Sequence, residues 1–301
     1  MKKNKNLLVV GGDSLVGAHL YRSLIEDGYL VSRTTRRQKP EGQNWVYFDF
    51  TDVESYKNAR EYDQAFIVAA ATNYERCATD PMARRINVEL IPEAIIKMME
   101  LGLFCSYIST NSVFGGNQRW PKENAKHNPL IPYAEQKSES EVKLRDLSAQ
   151  RSMTDRCNVI RLTKIMDFET PPVPGWLKSL TSGHIITPFE DLIFAPMSVQ
   201  HVAKAIAKVG LLEKPGDFHL SGAKNVTYVD FAQEFIKQFN FNPQLLEPVV
   251  STEKGITIAF KPKYSGLGME KTSRLAGVMP QTLESVVSDL KVSCEQANGI
   301  T

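Results

Sequence analysis

A tyrosine, a lysine and a threonine are the residues whose types and spacing favour proton transfer. Tyr133 and Lys137 stand four residues apart in the segment YAEQK, which places both side chains on one face of a helix. A lysine cation beside a phenol lowers the pKa of the phenol, so the pair can exchange protons near neutral pH. Thr110 ends the apolar run of SYISTNSVFGG, and polar groups at strand ends form sites in α/β proteins. We therefore expect acid–base chemistry at these three residues.

A glycine turn near the start of the chain predicts a dinucleotide site. The segment VVGGDSLVG has Gly11 and Gly17 of a G-x-x-G-x-x-G pattern, with Ser14 in the middle position. An apolar strand enters the turn and a helix leaves it, so the free N–H groups of that helix attract pyrophosphate. Ser14 would cost ~1–2 kcal/mol in a left-handed conformation, but its hydroxyl can cap the helix or bind phosphate. Leu15 and Val16 are expected beside it at the phosphates. The alternative is a structural turn whose nucleotide site has been lost.

The segment GYLVSRTTRRQ indicates which dinucleotide binds. It offers Arg36 and Arg37, with Arg33 nearby, where an acidic residue would bind the free ribose hydroxyl of NAD. Arginine suits a 2′-phosphate, so NADP(H) is the expected cofactor; a solvated basic loop is the alternative. Asp49 and Phe50, after the third apolar run, are expected to flank the adenine.

Short apolar runs alternate with helical periodicity in the first half of the chain. Such runs indicate buried parallel strands, and the segments between them indicate crossover helices. The predicted fold is α/β, a Rossmann doubly wound parallel sheet with a smaller C-terminal mixed α/β part. The predicted strands are Asn6–Gly11, Tyr29–Arg33, Trp45–Phe48, Ala65–Ala71, Phe104–Ser109 and Asn158–Leu162, and the helices between them are Leu15–Asp27, Ala83–Leu101 and Ala134–Leu147.

A proline-rich segment, ETPPVPGW, ends the alternation of apolar runs and helical segments. We expect a dinucleotide-binding core over residues 1–162, to which residues 198–240 return. Residues 163–197 and 241–301 form the predicted substrate-binding part. Amphipathic helices are predicted at Ser198–Leu212 and Tyr228–Phe239. Substrates commonly bind in the cleft between two such parts.

Composition limits the classes of partner. The 301 residues are 42% hydrophobic and 23% charged, with a net charge of +2, so no strong attraction to nucleic acid is expected. The four cysteines lack the spacing of a zinc site or a disulfide framework, so no metal is expected and a reducing cytoplasm is the expected location. No apolar run approaches the ~20 residues of a membrane span. The run Leu7–Val10 is too short for a signal peptide.

Several longer stretches resemble a known family over nearly the full length of the chain. The chain resembles the extended short-chain dehydrogenase/reductases and, more closely, the dTDP-4-dehydrorhamnose reductase branch. The resemblance implies that Thr110 bonds to the substrate oxygen and that Tyr133 is the general acid. Lys137 would lower the tyrosine pKa and hold the nicotinamide ribose. The matching stretches are ISTNSVFGG, WPKENAKHNPLIPYAEQKSESE, AAATNYERCATDPMARRINVEL, DLIFAPMSVQHVAKAI, GDFHLSGAKNVTYVDFAQEF and KPKYSGLG.

The resemblance also implies the reaction and its ligands. Hydride from NADPH would reduce the keto carbon of a nucleotide-diphosphate deoxysugar, and the enzyme is expected to be a homodimer. Small side chains would let the dinucleotide lie across the strand ends. The residues expected there are Ala69, Ala70 and Ala71, and those expected at the sugar are Thr72, Asn111 and Ser112.

Departures from the family pattern keep other functions open. The family reads S-T-D-Y-V-F, whereas Asn111 and Ser112 stand here in place of the carboxylate and the aromatic residue, so the sugar subsite is altered. His201 replaces a family aspartate, and packing is its expected role. A 4,6-dehydratase needs carboxylates beside Thr110 for elimination, which this chain lacks. A nucleotide-sugar epimerase and a non-catalytic NADP-binding regulatory subunit remain as alternatives.

Overall fold

The computed structural model describes residues 5–38, 42, 44–255 and 258–297. The outer ends of the two predicted parts, residues 1–4 and 298–301, lie outside the described residues. The strands are β1 Asn6–Val10, β2 Leu30–Thr35, β3 Trp45–Tyr47, β4 Gln64–Ile67, β5 Phe104–Thr110, β6 Cys157–Leu162, β7 Ile165–Met166, β8 Ile193–Phe194, β9 Met197–Ser198, β10 Gly216–Leu220 and β11 Val226–Thr227.

Ten α-helices flank or follow these strands within the described ranges. They are α1 Leu15–Glu26, α2 Tyr74–Thr79, α3 Pro81–Arg85, α4 Ile91–Glu100, α5 Pro132–Gln150, α6 Val173–Thr181, α7 Val199–Gly210, α8 Tyr228–Gln238, α9 Glu270–Ala276 and α10 Leu283–Ala297. Short 3₁₀ segments are found at Val53–Ala59, Asn111–Phe114, Pro243–Leu245 and Ser251–Lys254, and a π-helical segment at Ile86–Leu90.

A seven-stranded parallel sheet is the centre of the fold. Its strand order is β10-β6-β5-β4-β1-β2-β3, and every neighbouring pair is parallel. The chain leaves β1 in opposite directions toward β2 and β4, which creates the crevice where ligands of α/β proteins bind. The predicted Rossmann doubly wound fold is confirmed.

Two differences from the predicted elements have local causes. Strand β10 was not predicted, because Asp217 and His219 interrupt its apolar pattern. The helix predicted over residues 83–101 is divided by the π-helical turn at Ile86–Leu90. Pro92 lies just after that turn and has no N–H with which to continue the α-helical bonding, and wide turns of this kind often occur at functional sites.

Two hydrophobic clusters cover the faces of the sheet. Helices α1 and α7 pack on one face, and α4 packs on the other. A third cluster joins α6, α8 and α10 in the C-terminal half around Trp176 and Phe231. Within residues 198–240, β10 is thus a strand of the central sheet and α7 packs on one face of that sheet. Helix α8 packs in the third cluster.

Helix α5 differs from the other sheet-packing helices because much of its buried face is polar. Its buried residues are Ala134, Gln136, Lys137, Ser138, Ser140, Glu141, Leu144 and Ser148. Buried polar groups are retained when they are hydrogen-bonded, so this helix is fixed to the sheet largely by specific bonds. That arrangement positions the residues described next.

Candidate active site

A cavity of about 620 Å³ opens at the carboxyl ends of the central strands. Its wall includes residues from α1, from the ends of β4, β5 and β6, from α5 and from the C-terminal half. Sequence reasoning missed its aromatic side, where Phe194 and Tyr228 stack at 4.3 Å between ring centroids. The predicted site residues that line it are Val16, Ala70, Thr72, Thr110, Asn111, Ser112, Tyr133 and Lys137.

Thr110 is held by the start of a 3₁₀ turn. It ends β5 in an extended conformation and caps the segment Asn111–Phe114. The backbone N–H of Ser112 donates to Thr110 Oγ1 at 3.2 Å, and the two hydroxyl oxygens lie 2.8 Å apart. The threonine hydroxyl is therefore oriented by the protein before any ligand binds.

Tyr133 is a neutral phenol beside this threonine. Burial is the main cause that raises the pKa of Tyr133, and a side-chain hydrogen bond with Thr110 opposes the rise. Its ring stacks on Tyr74 with the centroids 5.4 Å apart. Because the pKa lies above its usual value, Tyr133 is protonated at neutral pH, as an acid must be before it donates.

Lys137 has a different partner from the one that its spacing predicts. Its Nζ donates to the hydroxyl of Tyr107 at 2.7 Å and to the carbonyl of Ile108 at 2.8 Å. Burial lowers the pKa of Lys137 to about 7. The expected lowering of the tyrosine pKa by this lysine stays a prediction. Tyr107, one residue before the carbonyl acceptor on β5, was not predicted from the sequence.

A buried ionic network lies one helical turn further along α5. Glu141 accepts from the hydroxyl of Ser109 at 2.5 Å and pairs with Arg161 of β6 at 2.7 Å. Arg161 also pairs with Asp217 of β10 at 2.8 Å. The Arg161 guanidinium and the Ser109 hydroxyl hold the pKa of Glu141 at about 2, against the opposing effect of burial. Sequence reasoning missed this network, although Glu141 repeats the spacing from Tyr133 to Lys137.

The two residues that depart from the family pattern are engaged within the protein. Asn111 Nδ2 donates to the carbonyl oxygen of Ser265 at 2.8 Å and to its hydroxyl at 3.0 Å. Ser112 is buried and bonds with Thr110. Asn111 therefore connects the end of β5 to a loop of the C-terminal half, and Thr72 is the exposed member of the three predicted sugar-site residues.

The glycine turn has a geometry suited to phosphate, and Ser14 is not strained in it. Gly11 has a φ of +98°, and a side chain there would collide with Ala69, whereas Ser14 is extended with a φ of −82°. Ser14 therefore avoids the cost that a left-handed conformation would carry. Its Oγ donates to the carbonyl of Gly11 at 2.7 Å and accepts from the N–H of Gly17 at 3.1 Å. A Cβ at Gly17 would lie 2.2 Å from the carbonyl oxygen of Gly11, so helix and turn need this close approach. Leu15, the first residue of α1, follows the serine cap.

Three arginines that lie close together in the sequence have different surroundings at the end of β2. The guanidinium carbon of Arg33 lies 4.5 Å from the ring centroid of Tyr21 and 3.9 Å from that of Trp45. Arg36 and Arg37 are exposed, and their guanidinium groups form no ion pair or hydrogen bond with the described residues. Arg33 is thus a packed part of the fold, while Arg36 and Arg37 are free to meet a ligand.

The remaining predicted cofactor residues have local structural roles. Asp49 Oδ1 accepts from the backbone N–H and the hydroxyl of Thr51, both at 2.8 Å. Phe50 packs edge-on against Phe48 with the centroids 5.5 Å apart. Neither Asp49 nor Phe50 lines the cavity.

Asn87, in the π-helical turn, holds the alanine segment that follows β4. The N–H of Ala71 donates to Asn87 Oδ1, and Asn87 Nδ2 donates to the carbonyl of Ala71, both at 2.9 Å. Asn87 Nδ2 also donates to Gln136 of α5 at 2.9 Å. The segment Ala69–Ala71 is therefore tied to the helix that carries Tyr133, a link that was not predicted.

A membrane span and a metal centre would each need a recognisable arrangement in the part of the chain that the structure describes. None of its helices combines the length and the apolar character needed to cross a bilayer. It contains no group of three or more His, Cys, Asp or Glu residues arranged to hold a metal ion.

Comparison with known proteins assigns the family. The model of the RmlD substrate binding domain matches residues 5–293. The chain belongs to this family. Its place among the extended short-chain dehydrogenase/reductases, which the motifs predicted, is confirmed.

Individual relatives are more distant. The CDP-abequose synthase of Salmonella muenchen is 32% identical over 116 residues, which are 37% of this chain and 39% of that protein. An undecaprenol-linked N-acetylglucosamine 4-epimerase of Escherichia coli O157:H7 is 23% identical over 188 residues, 60% of this chain and 55% of that protein. The chain thus spans less than two thirds of the length of both. The fold is similar to that of the dTDP-4-dehydrorhamnose reductase of Bacillus anthracis, solved with NADP, with a TM-score of 0.80, 18% identity and coverage of 96% of this chain and 98% of that one.

Proposed function

We propose that this chain is an NADPH-dependent reductase that delivers hydride to the keto carbon of a nucleotide-activated deoxysugar. The observation that carries the proposal is that Tyr133 and Thr110 both lie in the wall of one large cavity. A protonated phenol and an oriented hydroxyl at the carboxyl ends of parallel strands are suited to receiving a ketone oxygen. Family membership and the reductase with a similar fold support the same reaction.

The residues present fit a nicotinamide dinucleotide. Gly11 and Gly17 let the turn pack closely on Ala69 and on α1, where any side chain would collide, and the N-terminus of the 12-residue helix α1 attracts a pyrophosphate. Arg36 and Arg37 would bind the 2′-phosphate, which is the reason for proposing NADP(H) over NAD(H). When bound, the reduced cofactor supplies the hydride.

The chain's own residues would manage the proton and the orientation of the substrate. Thr110 donates a hydrogen bond to the ketone oxygen, and Tyr133 gives that oxygen its hydroxyl proton as the carbon is reduced to CH–OH. The phenolate left on Tyr133 needs a nearby cation and then a proton from solvent. We propose Lys137, one helical turn away on the same face, as that cation.

Both parts of the chain would contribute residues to the substrate site. We propose that residues 163–197 and 241–301 contribute to substrate binding, because Lys164, Phe194, Phe260 and Ser265 all line the cavity. Asn111 and Thr72 would contact the sugar from the core. We further propose a homodimer, as the family resemblance implies, and a location in the reducing cytoplasm, which the spacing of the cysteines favours.

An epimerase is the second candidate, because the E. coli relative carries that activity in its name. Epimerases return the hydride to their substrate and therefore consume no cofactor overall. The end of β2 argues against a tightly held NAD, since no acidic residue stands with Thr34, Thr35, Arg36 and Arg37. A regulatory subunit would not need the ordered Thr110 and Tyr133 pair.

The test is to incubate the protein with NADPH and a panel of 4-keto-6-deoxy nucleotide sugars. We expect one NADPH to be oxidised for each ketone reduced, followed by absorbance and by NMR of the product sugar. Conversion of the sugar without net NADPH loss would identify an epimerase. NADPH binding with no conversion of any sugar in the panel would favour the regulatory reading.

A further inference from the structure

Lys164 is a cation in the candidate site without a charged partner among the described residues. It stands two residues after β6 and lines the cavity together with Thr110 and Tyr133. Its backbone is fixed, because the carbonyl of Lys164 accepts from the N–H of Met197 at 2.9 Å. Its side chain is exposed, and its Nζ forms no ion pair or hydrogen bond with the described residues. Partial desolvation by the cavity wall lowers the pKa of Lys164, and no neighbouring charge contributes.

The side chains of the cavity wall are either positively charged or neutral. Lys137 and Lys164 are its two lysines, and no aspartate or glutamate of the described chain lines it. The Nζ of Lys137 already bonds to Tyr107 and Ile108. Lys164 is thus an exposed cation on this wall with no carboxylate beside it, and its ammonium group is available to a negatively charged group of a bound molecule.

The sheet register shows which bound molecule can reach this lysine. Leu162 pairs with Thr110 on the neighbouring strand, so the α-carbon of Lys164 lies roughly 8 Å from that of Thr110. The glycine turn follows β1, three strands away in the sheet, which is about 14 Å across. A lysine side chain reaches about 6 Å, so the cofactor pyrophosphate at that turn is out of range.

We infer that Lys164 binds an anionic group of the substrate close to the carbon that is reduced, and that it is a specificity-determining residue. The inference rests on the proposed function, because it takes Thr110 and Tyr133 to mark the reacting carbon. Two groups of a nucleotide sugar have this chemistry: a carboxylate on the sugar ring and the diphosphate that links the sugar to the nucleoside. A carboxylate would make the substrate a nucleotide-linked sugar acid.

The test compares three probes that differ by one group at a time. UDP carries the diphosphate, UDP-glucose adds a neutral sugar, and UDP-glucuronic acid adds the carboxylate. Their dissociation constants are measured by calorimetry on the NADP⁺-saturated wild type, Lys164→Met, Lys164→Arg and the surface control Lys178→Met. A charged contact predicts a loss of affinity of roughly tenfold to a hundredfold in Lys164→Met, with most of it retained in Lys164→Arg and no change in Lys178→Met.

Each pattern of probe affinities supports or contradicts a specific contact of Lys164. A loss confined to UDP-glucuronic acid supports a carboxylate site, and an equal loss for all three probes supports a diphosphate site. Unchanged affinities in Lys164→Met, or a wild type that binds none of the probes, would overturn the inference. NADPH titration of wild type and Lys164→Met is run in parallel. Failure of both to bind NADPH would contradict the proposed cofactor, whereas normal NADPH binding with a selective loss of nucleotide sugar isolates the role of Lys164.

Discussion

The two ends of the proposed dinucleotide cleft differ in how completely the protein fixes its functional side chains. At the reaction end, Thr110 and Lys137 are held by short hydrogen bonds, and the strand and helix that carry them are joined through Glu141. At the phosphate end, Arg36 and Arg37 are exposed, and their guanidinium groups bond to none of the residues that the structure describes.

The difference follows from what each end has to do. Proton transfer depends on positions accurate to a fraction of an ångström, so the groups involved gain from being fixed in advance. A phosphate can be bound by a flexible cation, because charge attraction tolerates a broader range of geometry. We therefore expect changes at the reaction end to alter turnover or stability strongly, and changes at the phosphate end to alter binding moderately.

The largest effect is expected for Tyr133→Phe. Removing the phenol hydroxyl takes away the proposed acid and should lower kcat by ~10²–10⁴-fold while NADPH binding is retained. The measurement is steady-state NADPH oxidation with a keto-sugar substrate. Tyr74→Phe is the matched control, because it keeps the ring that stacks on Tyr133. A fully active Tyr133→Phe enzyme would mean that the acid lies elsewhere.

Glu141→Ala should have the next largest effect, on stability. It leaves Arg161 buried with one carboxylate partner fewer, and breaking a buried pair costs ~3–5 kcal/mol of the free energy of unfolding. Glu139→Ala on the same helix removes an exposed pair with Arg84 and should cost at most ~1 kcal/mol. Chemical denaturation of both variants gives the comparison. Equal losses would show that the network at the reaction end does not hold helix and strand together.

Arg36→Ala tests the phosphate end directly. Loss of one charged contact to a 2′-phosphate should weaken NADPH binding by ~1.5–3 kcal/mol and leave NADH binding unchanged. Calorimetric titration of wild type, Arg36→Ala and Arg37→Ala with both cofactors makes the measurement, and Arg60→Ala is a surface control. Equal affinity of the wild type for NADPH and NADH would contradict the assignment of NADP.

Lys137 predicts a pH dependence of stability. Its pKa in the folded protein is about 7, lowered by burial from an ordinary 10.5, so the unfolded chain binds more protons between these values. The stability of the ligand-free protein should therefore rise from pH 7 to pH 9, by on the order of 2 kcal/mol at most. Lys137→Met should lack this rise. Thermal denaturation of both proteins across that range measures it, and parallel curves would show that Lys137 keeps an ordinary pKa in the fold.

The smallest effect is expected for Ser14→Gly. Ser14 already has an extended conformation, so glycine relieves no strain and removes only the cap, which costs a few tenths of a kcal/mol. NADPH affinity should change by less than tenfold. Ser14→Ala should cost ~1 kcal/mol of stability, because alanine caps poorly. Fluorescence titration that finds NADPH binding only in Ser14→Gly would mean that the serine blocks the site.

The sequence predicted the parts of the molecule that follow regular patterns. The parallel strands and the turn around Gly11 were found because apolar runs and glycine spacing are local signals. The bonds of Lys137 were not predicted, because its acceptors lie on β5 and helical spacing says nothing about a different element. Asn87 and Glu141 were missed for the same reason. Their roles depend on contacts between elements, and a polar side chain in a helix resembles a solvent-facing one until its partners are known.

Arg33 places a constraint on how this protein can have evolved. A Cβ on Gly12 would lie 2.5 Å from the Cβ of Arg33, and the arginine is confined between Tyr21 and Trp45. The second glycine of the GG pair is therefore required by the neighbouring strand. Among homologues, positions 12 and 33 should covary: because the close contact is with the Cβ of residue 33 itself, lineages that acquire a side chain at position 12 should have glycine at position 33. The two aromatic residues should become free to drift in those lineages, because the cation that they enclose is gone.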